Sequence, residues 1–575
     1  MRIINGLKYH WKVPDHDPQV LFQKSMLHNV SLPIAQMLMT RGITTDNEID
    51  QFFFGTQDTI GSAHDLKDGL KAIDRLLSAI ANKEKILIVG DYDVDGVTAS
   101  ALVLIALREL GAVVNYFLPN RVRDGYGLSR LIVHKAAANN YKVIITVDNG
   151  ISAHDAADAA REHGIDLIIT DHHQVLSKVP AAYAIVNPHQ PDCPYAFKYL
   201  AGVGVAFKLM EFLYQSLHKE LPACVYELLV LGTVADVVPL VGENRYWVRR
   251  GLTELNKHIR PPMAVLCKNA KVVRELITSL DIGFGIAPQI NALGRLDDAR
   301  AAVRFLLSNN EKESVEIGGI LYSLNEERKL LERRVYDEVV QQINNGIINL
   351  ANERVIIAYN EHWPVGVIGL VAGRLANTYG RPVLLFHATA HGTLKGSGRS
   401  IAMFNLCLVL EKFSDLLAHY GGHALAVGVS LLQSNFETFK AALQEYAFHV
   451  ITAEDLVQEL LLDGTVCMQD ITAKMGADLV LCEPFGCQNP QPIFYMQGVI
   501  LAQEPQLLKE AHVKCLVYAE GVNRSMIIFN RPDLYMPLCA QGQKPFDAAV
   551  MVTKNYWNGV TTMQLQAMDL AGVSV

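Results

Sequence analysis

The segment Ile86-Leu87-Ile88-Val89-Gly90-Asp91-Tyr92-Asp93-Val94-Asp95-Gly96 decides how this chain is read. An apolar, β-favouring run ends in three alternating aspartates, and the alanine- and leucine-rich stretch Thr98–Leu110 follows. The run reads as a strand and the stretch as a helix, so the acids fall on the turn between them. Two further segments share the layout: Ile144-Ile145-Thr146-Val147-Asp148-Asn149-Gly150 and Ile168-Ile169-Thr170-Asp171-His172-His173. With Val113–Phe117 as another β-rich run and Ala153–His163 as another helix, the rhythm predicts a parallel sheet covered by helices. Ligands bind such sheets beyond the carboxyl ends of the strands, and all three clusters fall there. Asp236, in Gly232-Thr233-Val234-Ala235-Asp236, follows a helical run and is expected in a loop.

The residue types fit one chemistry. Carboxylates and imidazoles suit divalent ions of the manganese type, and the lack of thiolates argues against structural zinc. Two metals ~3.5–4 Å apart need a bridging carboxylate and stabilise both the attacking and the leaving oxygen in phosphoryl displacement. Each cluster alone has an ordinary explanation: an aspartate after a strand is commonly a helix cap, and Asp95 before Gly96 could be one. Three strand-end clusters in one chain weigh against that explanation. Asp91-x-Asp93-x-Asp95-Gly96 also matches the start of a calcium loop, but the twelfth position is Leu102 where glutamate is required. Gly202-Val203-Gly204 begins like a dinucleotide fingerprint, but Phe207 stands where the third glycine belongs.

Outward from this centre the chain runs to 575 residues, enough for three or four domains. Residues 1–80 read as a helical accessory region, and residues 81–309 hold the motifs above. The polar stretch Glu326–Gln342 lies in a connecting helix expected over 310–350. A second α/β unit spans 351–461, with a strand at Arg354–Ala358, a helix at Val367–Tyr379, a strand at Val383–Phe386 and a glycine-rich loop at Gly396–Gly398. Short strands from 462 to 575 predict a small β-barrel. The fold class is therefore α/β with an added C-terminal barrel.

Met1–Val20 lacks the apolar core of a signal peptide, and no apolar run approaches the ~20 residues that span a bilayer. The nine cysteines contain no CxxC pair and read as free thiols. These features predict a soluble, cytoplasmic protein with no membrane contact. The net charge of −8 requires any nucleic-acid binding to use a local groove rather than bulk charge.

Asp91-Tyr92-Asp93-Val94-Asp95-Gly96, Val147-Asp148-Asn149-Gly150 and Thr170-Asp171-His172-His173 resemble the successive motifs of the DHH phosphoesterase superfamily. The resemblance continues through residues 120–128, 202–208, 291–296, 396–400, 421–423 and 484–494, and so covers most of the chain. It implies a catalytic DHH domain, a smaller DHHA1 domain joined to it by a long helix, and an OB-like barrel. It implies a 5′→3′ exonuclease specific for single-stranded DNA, which releases mononucleotides in recombination and repair. Asp91, Asp93 and Asp148 would hold one Mn2+ or Mg2+. Asp95, Asp148, His172 and Asp236 would hold the second. The metals, rather than a protein base, would lower the pKa of the attacking water. His173 would lie beside the scissile phosphate, with Asp171 orienting a histidine. Ser397, Arg399, Arg121 and Arg295 would seat a 5′-phosphate, and Gly421, Gly422 and His423 would grip the backbone.

Expected partners are single-stranded DNA, a single-strand-binding protein and a helicase, with the chain itself a monomer. The resemblance also leaves two other readings: a phosphodiesterase for short oligonucleotides or cyclic dinucleotides, and a non-catalytic replication scaffold. The family often has arginine where this chain has Gln289-Ile290, so one phosphate contact is expected to be absent or supplied elsewhere. From Gly464 onward there are seven Lys/Arg against nine Asp/Glu, so the barrel is not basic. Phe529, Tyr556 and Trp557 are its candidate stacking residues.

Overall fold

Strands buried on both faces need no polar alternation, and the first sheet is built from such runs. The computed structural model describes all residues except 121–124, 126, 176–177, 273–275, 297–298, 390, 558–559 and 575, and except the side chains of 295–296, 556–557 and 560–561. It divides into two compact units. One comprises Gln51–Glu327 with Cys482–Pro490, and the other comprises Met1–Asp50, Arg328–Leu481 and Gln491–Val575.

In the first unit five parallel strands lie in the order Val113–Phe117, Lys85–Gly90, Tyr141–Val147, Asp166–Thr170, Ala184–Val186. Alternate side chains feed two cores. Ile86, Ile88, Val143 and Ile145 pack against the helices Val94–Glu109, Gly202–Ser216 and Cys224–Ala235. Leu87, Val89, Ile144 and Ile169 pack against Arg130–Ala138 and His154–Glu162. The helix Val94–Glu109 is buried nearly all round, and small residues bring it close to its strand. A Cβ on Gly90 would stand 2.0 Å from Ser100 Oγ, and one on Gly96 would stand 2.5 Å from the Asp91 nitrogen. The helix starts at Val94, and its cap is Asp93, whose carboxylate accepts from the Gly96 N–H at 3.1 Å. Capping therefore falls on Asp93, which leaves Asp95 inside the first turn for another task.

Cys482–Pro490 belongs to this unit although its neighbours in sequence do not. Leu240 N–H donates to the Cys487 carbonyl at 2.8 Å, Ser279 Oγ to Phe485 at 2.7 Å, and Arg245 Nη1 to Cys482 at 2.9 Å. The Pro484–Phe494 motif thus begins as a brace on the segment that follows Asp236.

The helix Glu311–Asn344 is 34 residues long and passes from one unit to the other. In the second unit a sheet has the order His419–His423, Ala426–Leu432, Thr393–Arg399, Val383–Ala388, Ile356–Asn360. Only the last two strands are parallel. The expected loop at Gly396–Gly398 is instead the middle of a strand. Its glycines make room for packing: a Cβ on Gly396 would lie 2.4 Å from the Phe386 ring, and one on Gly398 would lie 2.7 Å from Leu384, Leu406 and Val427.

The C-terminal strands close a barrel. Phe494–Leu501, Phe546–Trp557, Val560–Ala571, Val522–Ile528 and His512–Ala519 pair in turn, and His512–Ala519 pairs back with Phe494–Leu501. The first residues are not helical. Arg2–Asn5 and His10–Val13 form a hairpin, with Glu459–Leu461 alongside His10–Val13. Buried Asp569 in the last barrel strand accepts from the N–H groups of Lys8 and Tyr9 at 3.1 and 3.0 Å and from Trp11 Nε1 at 2.9 Å. Apolar packing of Trp11 and these bonds tie the N-terminus to the barrel, a contact that no local pattern announces. Asp569→Ala leaves the buried Trp11 Nε1 and two part-buried N–H groups without their acceptor and is expected to cost about 2–4 kcal/mol. Denaturant unfolding should show that loss, and hydrogen exchange should show residues 2–13 opening first.

The nine cysteines are free thiols. Among the described residues no helix is long and apolar enough to cross a membrane.

Candidate metal centre

Three strand ends and one helix end carry the candidate ligands. Asp91, Asp93 and Asp95 follow Lys85–Gly90, Asp148 follows Tyr141–Val147, and Asp171, His172 and His173 follow Asp166–Thr170. Asp236 caps the C-terminus of Cys224–Ala235 rather than sitting in a free loop. Parallel register brings these ends to one edge of the sheet.

Ligand atoms of Asp91, Asp93 and Asp148 lie within 4.8 Å of one another, as do those of Asp95, His172 and Asp236. Asp148 also groups with His172 and His173. His172 Nε2 lies 3.2 Å from Asp148 Oδ1, 3.6 Å from Asp236 Oδ2 and 4.0 Å from Asp95 Oδ2. Asp148 therefore touches both ligand groups.

Electrostatics make this cluster unfavourable without a cation. Burial pushes the Asp95 carboxyl up to about 7, and the neighbouring Asp93 adds to the shift. Burial raises Asp148 well above the usual carboxylate range, and repulsion from Asp95, Asp93, Asp91 and Asp236 adds to it. Asp236 rises for the same reasons, and its buried Oδ2 accepts no hydrogen bond. Burial, with His173 adjacent, lowers His172 to about 4, so the ring is neutral and able to coordinate. An all-oxygen and imidazole donor set of this charge fits divalent cations, which would displace the protons that burial otherwise retains. The clusters are compatible with metal binding.

Asp171 is buried but has a different task. Its Oδ1 accepts from the N–H groups of His172 and His173 at 2.8 and 3.1 Å and meets His173 Nδ1 at 2.7 Å, while Oδ2 accepts from the Ile151 N–H at 2.9 Å. Burial alone would raise its pKa, but those bonds outweigh that penalty and lower it. Burial lowers the His173 pKa, but the bond to Asp171 outweighs it, so the net shift is upward. Asp171 thus orients His173.

Several supporting groups have roles that motif reading did not assign. The N–H groups of Gly202 and Val203, at a helix N-terminus, donate to the two Asp95 oxygens at 2.6 and 2.8 Å. The failed dinucleotide fingerprint is therefore an anion cradle for the protein's own carboxylate. Asn291 Oδ1 accepts from the Val94 N–H at 3.1 Å and pins the aspartate turn. Asn187 Nδ2 donates to the His173 carbonyl at 2.9 Å. The resemblance covered Gly202, Val203 and Asn291 without giving them a role, and Asn187 had only its residue type, which is common in turns. Gln289 is buried, and its Nε2 donates to the Leu266 and Gly285 carbonyls at 3.0 and 2.9 Å. It braces helices and leaves no group for phosphate.

The candidate DNA-gripping residues of the second unit share one sheet. Arg399 and His423 both pair with Ala426, and Ser397 and Gly421 both pair with Gly428. The four therefore form two adjacent cross-strand rows. Arg399 Nη1 donates to Ser397 Oγ at 3.3 Å and to the Gly398 carbonyl at 2.8 Å. Gly422 has φ +139°, and a Cβ there would stand 2.3 Å from the Ala426 oxygen, so only glycine fits. Arg121 and the side chains of Arg295, Tyr556 and Trp557 lie outside the described residues. Phe529 is exposed and meets the His512 ring edge-on at 5.2 Å.

Family models match three stretches: the DHH family N-terminal domain over 85–233, the DHHA1 domain over 352–447 and the RecJ OB domain over 462–569. The single-stranded-DNA-specific exonuclease RecJ of Bacillus subtilis is 33% identical across 98% of this chain and 71% of that protein. RecJ of Dickeya dadantii is 34% identical across 93% of this chain and 95% of its own length. Among solved structures, Thermus thermophilus RecJ in complex with Mn2+ matches with a TM-score of 0.83 and 28% identity, covering 98% of this chain and 80% of that one.

Proposed function

This chain belongs to the RecJ family of single-stranded-DNA-specific exonucleases, and from that premise we propose that it hydrolyses single-stranded DNA from the 5′ end to mononucleotides. The observation that best supports the chemistry is the shared position of Asp148, grouped with Asp91 and Asp93 yet 3.2 Å from His172. Asp91, Asp93 and Asp148 would hold one Mn2+ or Mg2+, and Asp95, Asp148, His172 and Asp236 the other. When bound, such a pair activates water and neutralises charge on the phosphodiester. The Gly202 and Val203 N–H groups aim the Asp95 carboxylate and favour its ionised form against the burial that raises its pKa. His173, oriented by Asp171, would donate to the phosphate as charge develops. Ser397 and Arg399 would seat the terminal 5′-phosphate. Gly421, Gly422 and His423 would follow the backbone of the strand. The same reading makes the chain a cytoplasmic monomer acting in recombination and repair beside a single-strand-binding protein and a helicase.

Degradation of 5′- and 3′-labelled single strands in Mn2+ tests the proposal. Release of the 5′ label as mononucleotide first, with duplex and dinucleotide poorly cut, is the expected result. A preference for the dinucleotide would refute it. Arg399→Ala should lower the preference for a 5′-phosphate over a 5′-hydroxyl by about 10–100-fold, the worth of a charge-assisted arginine–phosphate contact. Competition between the two strand types measures that preference directly.

A further inference from the structure

Asn149 follows Asp148, and its side chain is completely buried. Its Nδ2 donates to the Val89 carbonyl at 3.1 Å and to the Val147 carbonyl at 2.9 Å, while its Oδ1 accepts from the Leu128 N–H at 3.2 Å. Two carbonyls and one N–H fix which way the amide points, because only its nitrogen can serve the carbonyls. Val89 lies at the end of the strand that leads to Asp91, and Val147 immediately precedes Asp148. One side chain therefore joins the ends of two neighbouring strands that carry metal candidates, and ties Leu128 to both.

Two conformations depend on this junction. Asp148 has φ +61°, a left-handed geometry that residues other than glycine seldom adopt. Its N–H is bonded to the Thr170 carbonyl at 3.1 Å, so the chain must turn sharply between two fixed points. Gly127, at φ +65°, packs against the amide, and a Cβ there would stand 3.2 Å from Asn149 Oδ1. Leu128 closes the segment that carries Arg121.

We propose that Asn149 is a positioning residue: it holds Asp148 in its left-handed conformation, sets its place relative to Asp91, and couples both to the segment ending at Leu128. Alanine would remove all three bonds. Aspartate would keep the acceptor for Leu128 but set a carboxylate against the Val89 and Val147 carbonyls. Both leave every metal candidate in the sequence. The proposal rests on Asp148 being a metal ligand.

Mn2+ titration of the full chain, followed by electron paramagnetic resonance and by cleavage rate, tests it. Asn149→Ala, Asn149→Asp and Gly127→Ala would be compared with wild type, with Asp148→Ala as the ligand control and thermal melting as the folding control. In the folded Asn149 variants half-saturation by Mn2+ is expected to rise about 10–100-fold, as when a residue orienting a ligand is lost, and kcat should fall more than KM for single-stranded DNA changes. Gly127→Ala should move in the same direction, and it perturbs the amide without altering it. A lower melting temperature with wild-type Mn2+ midpoints in Gly127→Ala and in each folded Asn149 variant would overturn the positioning role. An Asp148→Ala chain that retains wild-type Mn2+ binding would instead overturn the ligand assignment, and the proposal with it.

Discussion

Asp148→Ala is expected to lower strand cleavage by at least ~10³-fold, about 4 kcal/mol of transition-state stabilisation, while single-stranded DNA binding stays near wild type. Asp148 groups with Asp91 and Asp93 and lies 3.2 Å from His172 of the other group, so on the proposed assignment its loss damages both at once. The residues of the second unit proposed to grip DNA are untouched, which is why binding should survive. Asp148→Asn refines the test because it keeps the shape and removes the charge. Four neighbouring carboxylates repel Asp148 in the metal-free protein. The asparagine variant should therefore melt at or above the temperature of metal-free wild type. Mn2+ should stabilise wild type through linkage, chelation should reverse the effect, and the variant should respond little. Full activity in either variant would refute the shared-ligand assignment.

Gly202→Ala, one methyl group added outside every metal candidate, is expected to lower kcat by about 10²-fold. A Cβ at Gly202 would stand 2.5 Å from Asp148 Cβ and 2.7 Å from its Oδ1. Neither side can retreat, because Asp148 is buried and the Gly202 N–H is bonded to Asp95 at 2.6 Å. The methyl group must push Asp148 or withdraw the cradle from Asp95, and either motion disturbs the ligand set. Gly204→Ala is the control, two residues along the same helix. The nearest atoms to its Cβ would be those of the Leu200 side chain, at 3.3 Å and beyond, so its activity should remain within a few-fold of wild type. Kinetics over a range of Mn2+ concentrations would separate the two variants. Equal activity in Gly202→Ala and Gly204→Ala would sink the argument.

Some of this was readable along the chain. Ile86–Val89, Val143–Val147 and Leu167–Ile169 announce parallel strands because strands covered on both faces must be apolar throughout, and that requirement is local. The acids after them announce a shared site because parallel strands end at one edge. Leu102 excluded a calcium loop for an equally local reason, since a ligand position cannot be filled by a hydrocarbon.

Other features depended on what lies opposite. The Gly396–Gly398 stretch looked like a loop because glycine is common in turns, but it is a strand whose glycines admit Phe386, Leu384 and Val427. Asp95 looked like a helix cap until Asp93 took that bond and the Gly202 cradle took Asp95. The N-terminal hairpin and the Cys482–Pro490 brace join residues hundreds of positions apart, which no local periodicity records.

The sequence by itself determined the parallel α/β sheet and the carboxylate- and imidazole-rich strand ends that suit a divalent metal, because residue type and strand period are properties of short segments. Only the tertiary structure showed what Asp91, Asp93 and Asp95, already divided between two metals by the resemblance, touch in the fold. Asp93 caps a helix while grouped with Asp91 and Asp148, and Asp95 faces a helix N-terminus and groups with His172 and Asp236. Which carboxylate meets which partner depends on how separate elements pack, and packing is fixed by the whole core rather than by the turn that holds the three acids.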